Sequence, residues 1–170
     1  NITPPTVTTS NDGPLTCAKT SVTLTATGGG SYQWSGGGTS STKIVNEAGT
    51  YTVTVSASNG CTSTATSTVL LDTIRPVVNV SGSGMLTCGT TSITLFATGG
   101  GSFLWNTGEI TSEKIATTPG IYNVTVTGLN GCSATGSIVV EQNITPPNVN
   151  VSNNGPLTCI KTSVTLTATG

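Results

Sequence analysis

Histidine is absent from this 170-residue chain, and charged side chains are scarce: five are basic and six are acidic, for a formal net charge of −1 at pH 7. Without histidine the chain lacks the side chain that most hydrolytic and acid–base sites use near neutral pH. So few basic groups leave no positive patch that could displace counterions from a nucleic-acid backbone. We therefore expect neither an enzyme nor a nucleic-acid binder.

Aromatic side chains and long apolar runs are scarce as well. Aromatic residues make up 4% of the chain. No stretch approaches the about 20 apolar residues that a membrane-spanning helix needs, so we expect no membrane insertion in this segment. Thr, Ser, Gly, Val and Asn dominate the sequence instead, and such a composition favours strands and turns over helices.

The dominant feature of the sequence is an internal repeat. A segment that begins Leu-Thr-Cys occurs three times, with its cysteine at positions 17, 88 and 159, so that successive copies lie 71 positions apart without insertion. This spacing predicts repeat 1 over 1–71, repeat 2 over 72–142 and the N-terminal part of a truncated repeat 3 over 143–170. The segment 143–170 differs from 1–28 at five positions, which indicates a two-repeat period of 142 positions. We expect a segment of a longer protein.

Each repeat has the pattern of six or seven short strands separated by turns. Val22, Leu24 and Ala26 alternate with polar residues, as in a strand with one buried face. A first strand is predicted at Thr6–Thr9, and its equivalent in the second repeat at Pro76–Val80. Gly-rich and Asn-Gly turns follow at the short intervals that are typical of sandwich domains. The chain is therefore predicted to be all-β, with tandem immunoglobulin-like β-sandwich repeats stacked end to end.

The same alternation predicts which side chains form the core. Each tryptophan holds a fixed place on the third strand, which favours a core position over a platform that stacks on sugars. A Gly-x-Tyr sequence before the sixth strand is typical of the tyrosine corner of sandwich domains, in which the hydroxyl bonds to upstream backbone. The predicted core residues are Trp34, Trp105, Tyr51, Tyr122, Val22, Leu24, Val53 and Val55.

Five cysteines at fixed positions in the repeat indicate an oxidising compartment and disulfide bonds. The chain contains no Cys-x-x-Cys pair and no histidine, so we expect no metal site and no cofactor. Calcium bound through Asp72 or Glu141 at a repeat boundary would have few ligands. One disulfide scheme stays within each repeat. It joins the cysteines that lie 44 positions apart, Cys17 with Cys61 and Cys88 with Cys132.

A second scheme joins neighbouring repeats. Cys17 precedes the second strand and Cys61 follows the sixth, and in a sandwich these two strands run in the same direction. The two cysteines would then lie about 20–26 Å apart, whereas bridged Cα atoms lie within about 7 Å. Cys17 would instead bond Cys132 across the repeat boundary, with Cys61, Cys88 and Cys159 pairing outside this chain. The sequence leaves both schemes open.

The order of the motifs resembles a known type of repeat. Leu-Thr-Cys, Ser-Val-Thr-Leu-Thr-Ala-Thr-Gly-Gly, Tyr-x-Trp-Ser, Gly-Thr-Tyr-Thr-Val-Thr-Val and Asn-Gly-Cys-Thr follow one another along the first repeat. This order is similar to the PKD/Ig-like repeats of very large Bacteroidota surface proteins. Those proteins include adhesins carried by type IX secretion and the mobile adhesins of gliding motility. The resemblance covers essentially the whole chain. It implies PKD-like domains in a secreted, extracellular filament at the bacterial cell surface.

A second resemblance concerns modification. Asp72-Thr73-Ile74 is similar to the O-glycosylation signal of the same phylum, which makes Thr73 a candidate glycosylation site and the protein a candidate glycoprotein.

The sequence and the resemblance together predict a structural role in cell adhesion. We expect a disulfide-stapled stalk that projects a binding tip, with neighbouring repeats of the same chain as its partners. Through a tip outside this segment, the protein would contact surface polysaccharide or other cells. The alternative is an array of carbohydrate-binding modules that uses exposed aromatic side chains.

Overall fold

The computed structural model describes residues 2–170 as strands joined by turns and irregular segments; Asn1, the first residue of predicted repeat 1, lies outside this range. The strands of the first unit are β1 (Thr8–Asn11), β2 (Leu15–Thr16), β3 (Val22–Thr27), β4 (Ser31–Trp34), β5 (Thr42–Val45), β6 (Gly49–Ser56), β7 (Thr62–Val69) and β8 (Leu71–Asp72). None of the described residues forms a helix of the length and hydropathy that crossing a membrane requires.

Each strand of the second unit corresponds to a strand of the first unit that lies 71 positions earlier in the sequence. Its strands are β9 (Asn79–Gly82), β10 (Leu86–Thr87), β11 (Ile93–Thr98), β12 (Ser102–Trp105), β13 (Glu113–Ala116), β14 (Gly120–Thr127), β15 (Ser133–Val140) and β16 (Gln142–Asn143). In the third segment, β17 (Asn150–Asn153) pairs with β18 (Leu166–Thr169) in the register that β1 and β3 adopt.

Each of the first two units contains two three-stranded antiparallel sheets. The first unit has the orders β1-β3-β5 and β4-β6-β7, and the second has β9-β11-β13 and β12-β14-β15. At one edge the two sheets of the first unit are joined by side-chain bonds, since Thr9 Oγ1 donates to Thr66 O at 2.7 Å. The all-β prediction is confirmed, and the arrangement of the sheets is consistent with a β-sandwich.

Both sheets of a unit bury alternate side chains in one core, and each unit has a core of its own. On β3 the buried residues alternate with half-buried or exposed threonines, because successive side chains of a strand point to opposite faces. Of the predicted core residues, the structure places Tyr51 half-buried at the margin and Tyr122 at 6% exposure. The others are at most 1% exposed: Trp34, Trp105, Val22, Leu24, Val53 and Val55.

The polar atoms of the large aromatic side chains have partners in nearby loops. The indole N–H of Trp34 donates to Ser40 O at 2.9 Å, and that of Trp105 donates to Thr111 O at 2.9 Å. The Tyr51 hydroxyl donates to Glu47 O at 2.9 Å, four residues upstream, as a tyrosine corner does. These bonds satisfy groups that would otherwise be costly to bury.

The first strand of each unit differs from the prediction. β1 begins at Thr8 rather than Thr6 and continues to Asn11, and β9 covers Asn79–Gly82 rather than Pro76–Val80. The partner strand explains the shift, because β3 ends at Thr27, opposite Thr8. Residues before Thr8 therefore have no ladder to join, and Pro4 and Pro5 lack the N–H that a ladder needs.

A pair of two-residue strands was not predicted from the sequence. β2 and β8 pair in parallel, with Leu15 opposite Leu71 and Thr16 opposite Asp72, and Leu15 N donates to Leu70 O at 2.9 Å. Leu15 is 3% exposed, so its burial anchors this corner to the core. The pair holds the segment before Cys17 against the strand by which the chain leaves the first unit. β10 and β16 repeat this arrangement in the second unit.

Candidate functional site at the junction between repeats

Three segments meet where the first unit ends and the second begins, and we call their contact the junction. They are the corner 17–18 after β2, the linker 72–75 that begins at the last residue of β8, and the turn 128–132 between β14 and β15. The two units also share a backbone hydrogen bond here, from Ala18 N to Asn130 O at 3.3 Å. Residues far apart in sequence are thus brought together at one pole of each unit.

A disulfide bond crosses the junction from Cys17 to Cys132. Their Cα atoms lie 5.0 Å apart, and 115 positions separate them in the sequence. Cys132 is 1% exposed. Of the two schemes left open by the sequence, the structure contains the one that joins neighbouring repeats.

The scheme within each repeat, Cys17 with Cys61 and Cys88 with Cys132, is therefore wrong for this structure. Cys17 lies beside the β2–β8 pair, where the chain leaves the first unit. Cys61 lies in the turn between β6 and β7, whose Asn59 Nδ2 donates to Thr3 O at 3.1 Å, where the chain enters that unit. The two cysteines are at opposite poles, so they cannot meet.

The Asn130 carboxamide connects the turn to the linker. Its Nδ2 donates to Asp72 Oδ1 at 2.9 Å and to Ile74 O at 2.9 Å. Its Oδ1 accepts from Cys132 N at 3.0 Å, which holds the cysteine in place. The Asn-Gly sequence by itself predicts only a turn. Asparagine in turns often bonds the backbone two residues ahead, so the sequence signals the bond between Asn130 and Cys132 but not the bonds to the linker.

Gly131 allows the two units to approach closely. Its φ is +76°, and a Cβ built on it would lie 2.4 Å from Ala18 Cβ. A side chain there would be strained by the backbone conformation and would also collide with the first unit. Both requirements explain why a glycine precedes Cys132.

The other three cysteines have no disulfide partner among residues 2–170. Cys61 is half-exposed, and Cys88 and Cys159 are exposed. Cys88 occupies the position in the second unit that Cys17 has in the first, and its Sγ lies 3.9 Å from Ile144 O on the following linker. Cys61 likewise occupies the position of Cys132.

The linker itself carries the remaining predicted site residue. Thr73 is exposed between β8 and β9, and neighbouring Asp72 Oδ1 accepts from Ile74 N at 3.3 Å as well as from Asn130. Within residues 2–170, no three or more Cys, Asp or Glu side chains are grouped closely enough to hold a metal ion.

Two carboxyl groups with lowered pKa values lie outside the junction. The pKa of Asp12 is lowered first by the Thr23 N–H, which donates at 2.7 Å, and then by Lys19. The pKa of Glu109 falls to about 2, chiefly because Lys114 bonds its carboxylate and secondly because Thr107 does. Both groups are on the surfaces of the units, where they stabilise loops.

The junction is made of one covalent bond and several hydrogen bonds. No protein-family model matches the chain, and a search of curated proteins finds no match either. The function of the protein must therefore be inferred from the junction.

Proposed function

We propose that this chain is a structural segment of a secreted cell-surface adhesin or fibre. In this proposal the repeated units form a disulfide-linked stalk of immunoglobulin-like, PKD-like domains that projects a binding tip away from the cell. The units would be those of the type IX secretion and gliding-motility adhesins of Bacteroidota, which the sequence resembles. Their immediate partners would be neighbouring units of the same chain.

The disulfide between units is the observation that carries this proposal. Small domains in tandem usually share modest interfaces and move relative to each other. Here Cys17–Cys132, together with the bonds of Asn130 to Asp72 and Ile74, restricts such motion. Disulfides persist in oxidising surroundings, which supports a location outside the cytosol.

The alternative function, an array of carbohydrate-binding modules, has less support. Trp34 and Trp105 are each 1% exposed, so neither offers a face to a sugar ring. Among residues 2–170, Phe96 is the most exposed aromatic residue, at 45%. Thr25 occupies the position of Phe96 in the first unit. The exposed ring of Phe96 therefore has no counterpart in the first unit.

Two measurements test the stalk. Non-reducing peptide mapping of the oxidised chain should recover a peptide that joins Cys17 to Cys132; a peptide joining Cys17 to Cys61 would contradict the proposal. Electron microscopy of the native protein should show a long thread with regular beads about 35–40 Å apart, close to the length of an eight-residue strand plus its turns. Compact, separate domains would argue against a stalk.

A further inference from the structure

We propose that the junction disulfides carry tension past the folded units, so that pulling on the chain ends cannot unravel most of each unit. The inference rests on the proposed stalk, because a stalk is the arrangement that is loaded end to end. It adds a specific mechanical function to the disulfide, beyond holding neighbouring units together.

The length of the disulfide loop is the first observation. The bond joins positions 115 apart, whereas successive repeats lie 71 positions apart. The loop therefore encloses residues 18–131, which contain every strand from β3 to β14. A force that enters at the N-terminal end passes from Cys17 through the two sulfur atoms to Cys132. The enclosed strands are not stretched by it, because the covalent path goes around them.

The second observation is the small number of residues that remain in the path of the force. Cys159 in the third segment corresponds to Cys17, and 27 positions lead from Cys132 to Cys159. If Cys159 is bonded in the same way to a following unit, these residues are the load-bearing chain for two repeats. Fully extended, they span about 90 Å.

This extended length is close to the distance that the segment from Cys132 to Cys159 already covers in the folded stalk. Because Cys132 lies 5.0 Å from Cys17, the path from Cys132 to Cys159 spans two repeats. At about 35–40 Å for each repeat, judged from its eight-residue strands and their turns, this distance is about 70–80 Å. Without the disulfides, the chain of two repeats would stretch to about 480 Å. The disulfides thus reduce the available extension several-fold.

The load-bearing residues themselves can be extended only a little further. They include β15 and β17, which are extended strands already. β15 is held along its whole length, since all eight of its residues pair with β14, from Ser133 opposite Thr127 to Val140 opposite Gly120. Tension along β15 must shear this ladder before the strand can leave the second unit. The stalk is therefore nearly inextensible.

Single-molecule pulling on residues 1 and 170 tests the bypass. The triple variant Cys61→Ser, Cys88→Ser, Cys159→Ser retains only the junction cysteines and prevents links between molecules. The segment 18–131 should be missing from the stretched length, so the oxidised chain should be about 380–410 Å shorter at full extension than the same chain in dithiothreitol. Equal lengths in the two conditions would overturn the proposal. The matched control, Cys17→Ser added to the triple variant, should extend fully in both conditions.

A longer chain tests whether the bypass recurs with each added pair of repeats. Residues 1–142 are placed ahead of the complete 170-residue chain with all cysteines kept, which preserves the repeat spacing at the joint. The added copy should increase the stretched length of the oxidised protein by about 90 Å, and an increase of about 480 Å would overturn the tension proposal. Peptide mapping of the same sample distinguishes a failure of the tension proposal from a failure of the proposed stalk. The larger increase without a Cys17–Cys61 peptide removes the tension bypass alone, whereas a Cys17–Cys61 peptide removes the proposed stalk as well.

Discussion

The same Asn-Gly-Cys turn occurs twice among residues 2–170: the docked turn, 130–132, lies against the first unit, and the open turn, 59–61, has no described unit beside it. In both copies the cysteine N–H donates to the asparagine Oδ1 at 3.0 Å, and the asparagine Nδ2 binds a linker carbonyl. Docking changes the environment: Cys132 is 1% exposed, whereas Cys61 is half-exposed. The turn therefore has the same bonds in both units, and the neighbouring unit adds burial and a covalent bond to a surface that already has its shape.

The largest expected effect comes from removing the covalent bond on the docked side. Cys17→Ser should lower the free energy of unfolding by about 2–5 kcal/mol, the usual cost of losing a native disulfide. Cys61→Ser, the matched change in the open turn, should stay within about 0.5 kcal/mol. Denaturant titration of the oxidised proteins measures both. In dithiothreitol the wild type and Cys17→Ser should coincide; a difference that persists there would show that the serine acts by some other route than the disulfide.

A methyl group on the glycine of each turn separates backbone strain from contact between units. Gly131 and Gly60 have φ values of +76° and +81°, so Ala at either site should cost about 1–2 kcal/mol. Only Gly131 would also place its Cβ 2.4 Å from Ala18 Cβ, while Gly60 has no atom within 4 Å. Gly131→Ala should therefore cost about 1–3 kcal/mol more than Gly60→Ala and should slow formation of the disulfide. Denaturant titration of both variants gives the comparison, and equal losses would mean that the units do not approach as closely as the structure indicates.

Asp72 provides a smaller change on the linker side. Asp72→Ala removes the acceptor of Asn130 Nδ2 and of Ile74 N, so it should cost about 0.5–1.5 kcal/mol. Asp72→Asn should cost less, because its side-chain oxygen remains and Asn143 stands at the equivalent position of the next repeat. Unfolding curves of the three proteins at pH 7 give the comparison. If Asp72→Asn were as damaging as Asp72→Ala, the carboxylate charge would matter more than its hydrogen bonds.

The smallest expected effect is a difference between the two units in how their stability depends on pH in acid. The pKa of Glu109 is lowered from 4.5 to about 2 by Lys114 and Thr107, whereas the first unit has Gly38 at that position. A lowered pKa in the folded state adds stability that is complete above pH 4.5 and is lost as the pH falls towards 2. Glu109→Gln should remove this part of the acid dependence, which thermal unfolding between pH 6 and pH 2 would detect. The contribution should be small because the Glu109 side chain is 38% exposed to solvent. An unchanged acid profile would mean that the Lys114 pair adds no stability.

Much of each unit could be predicted from local patterns. The alternation of apolar and polar residues in β3 and β6 is strong because one face of each strand packs into the core. The Asn-Gly turns were predicted for a similar reason, since few residue pairs suit that backbone. The limits of β1 were predicted less well, because they depend on where its partner β3 ends, and no signal in the segment 6–11 reports that.

The pair of β2 and β8 had no local signal at all. Each strand has two residues, too few to show a period, and the partners lie 56 positions apart, as Leu15 and Leu71 do. Such a contact depends on the folded unit as a whole. Asn130 escaped notice for the same reason, because its bonds to Asp72 and Ile74 exist only when the linker lies across the turn.

The sequence by itself determined the repeat period, the alternation that builds each core, and the position of every cysteine within its repeat. These features are local or periodic, so one chain is enough to recognise them. Only the tertiary structure decided which cysteines meet. A disulfide requires Cα atoms within about 7 Å, and Cys17 reaches Cys132 because the β2–β8 pair holds it at the exit of its unit, facing the turn of the next.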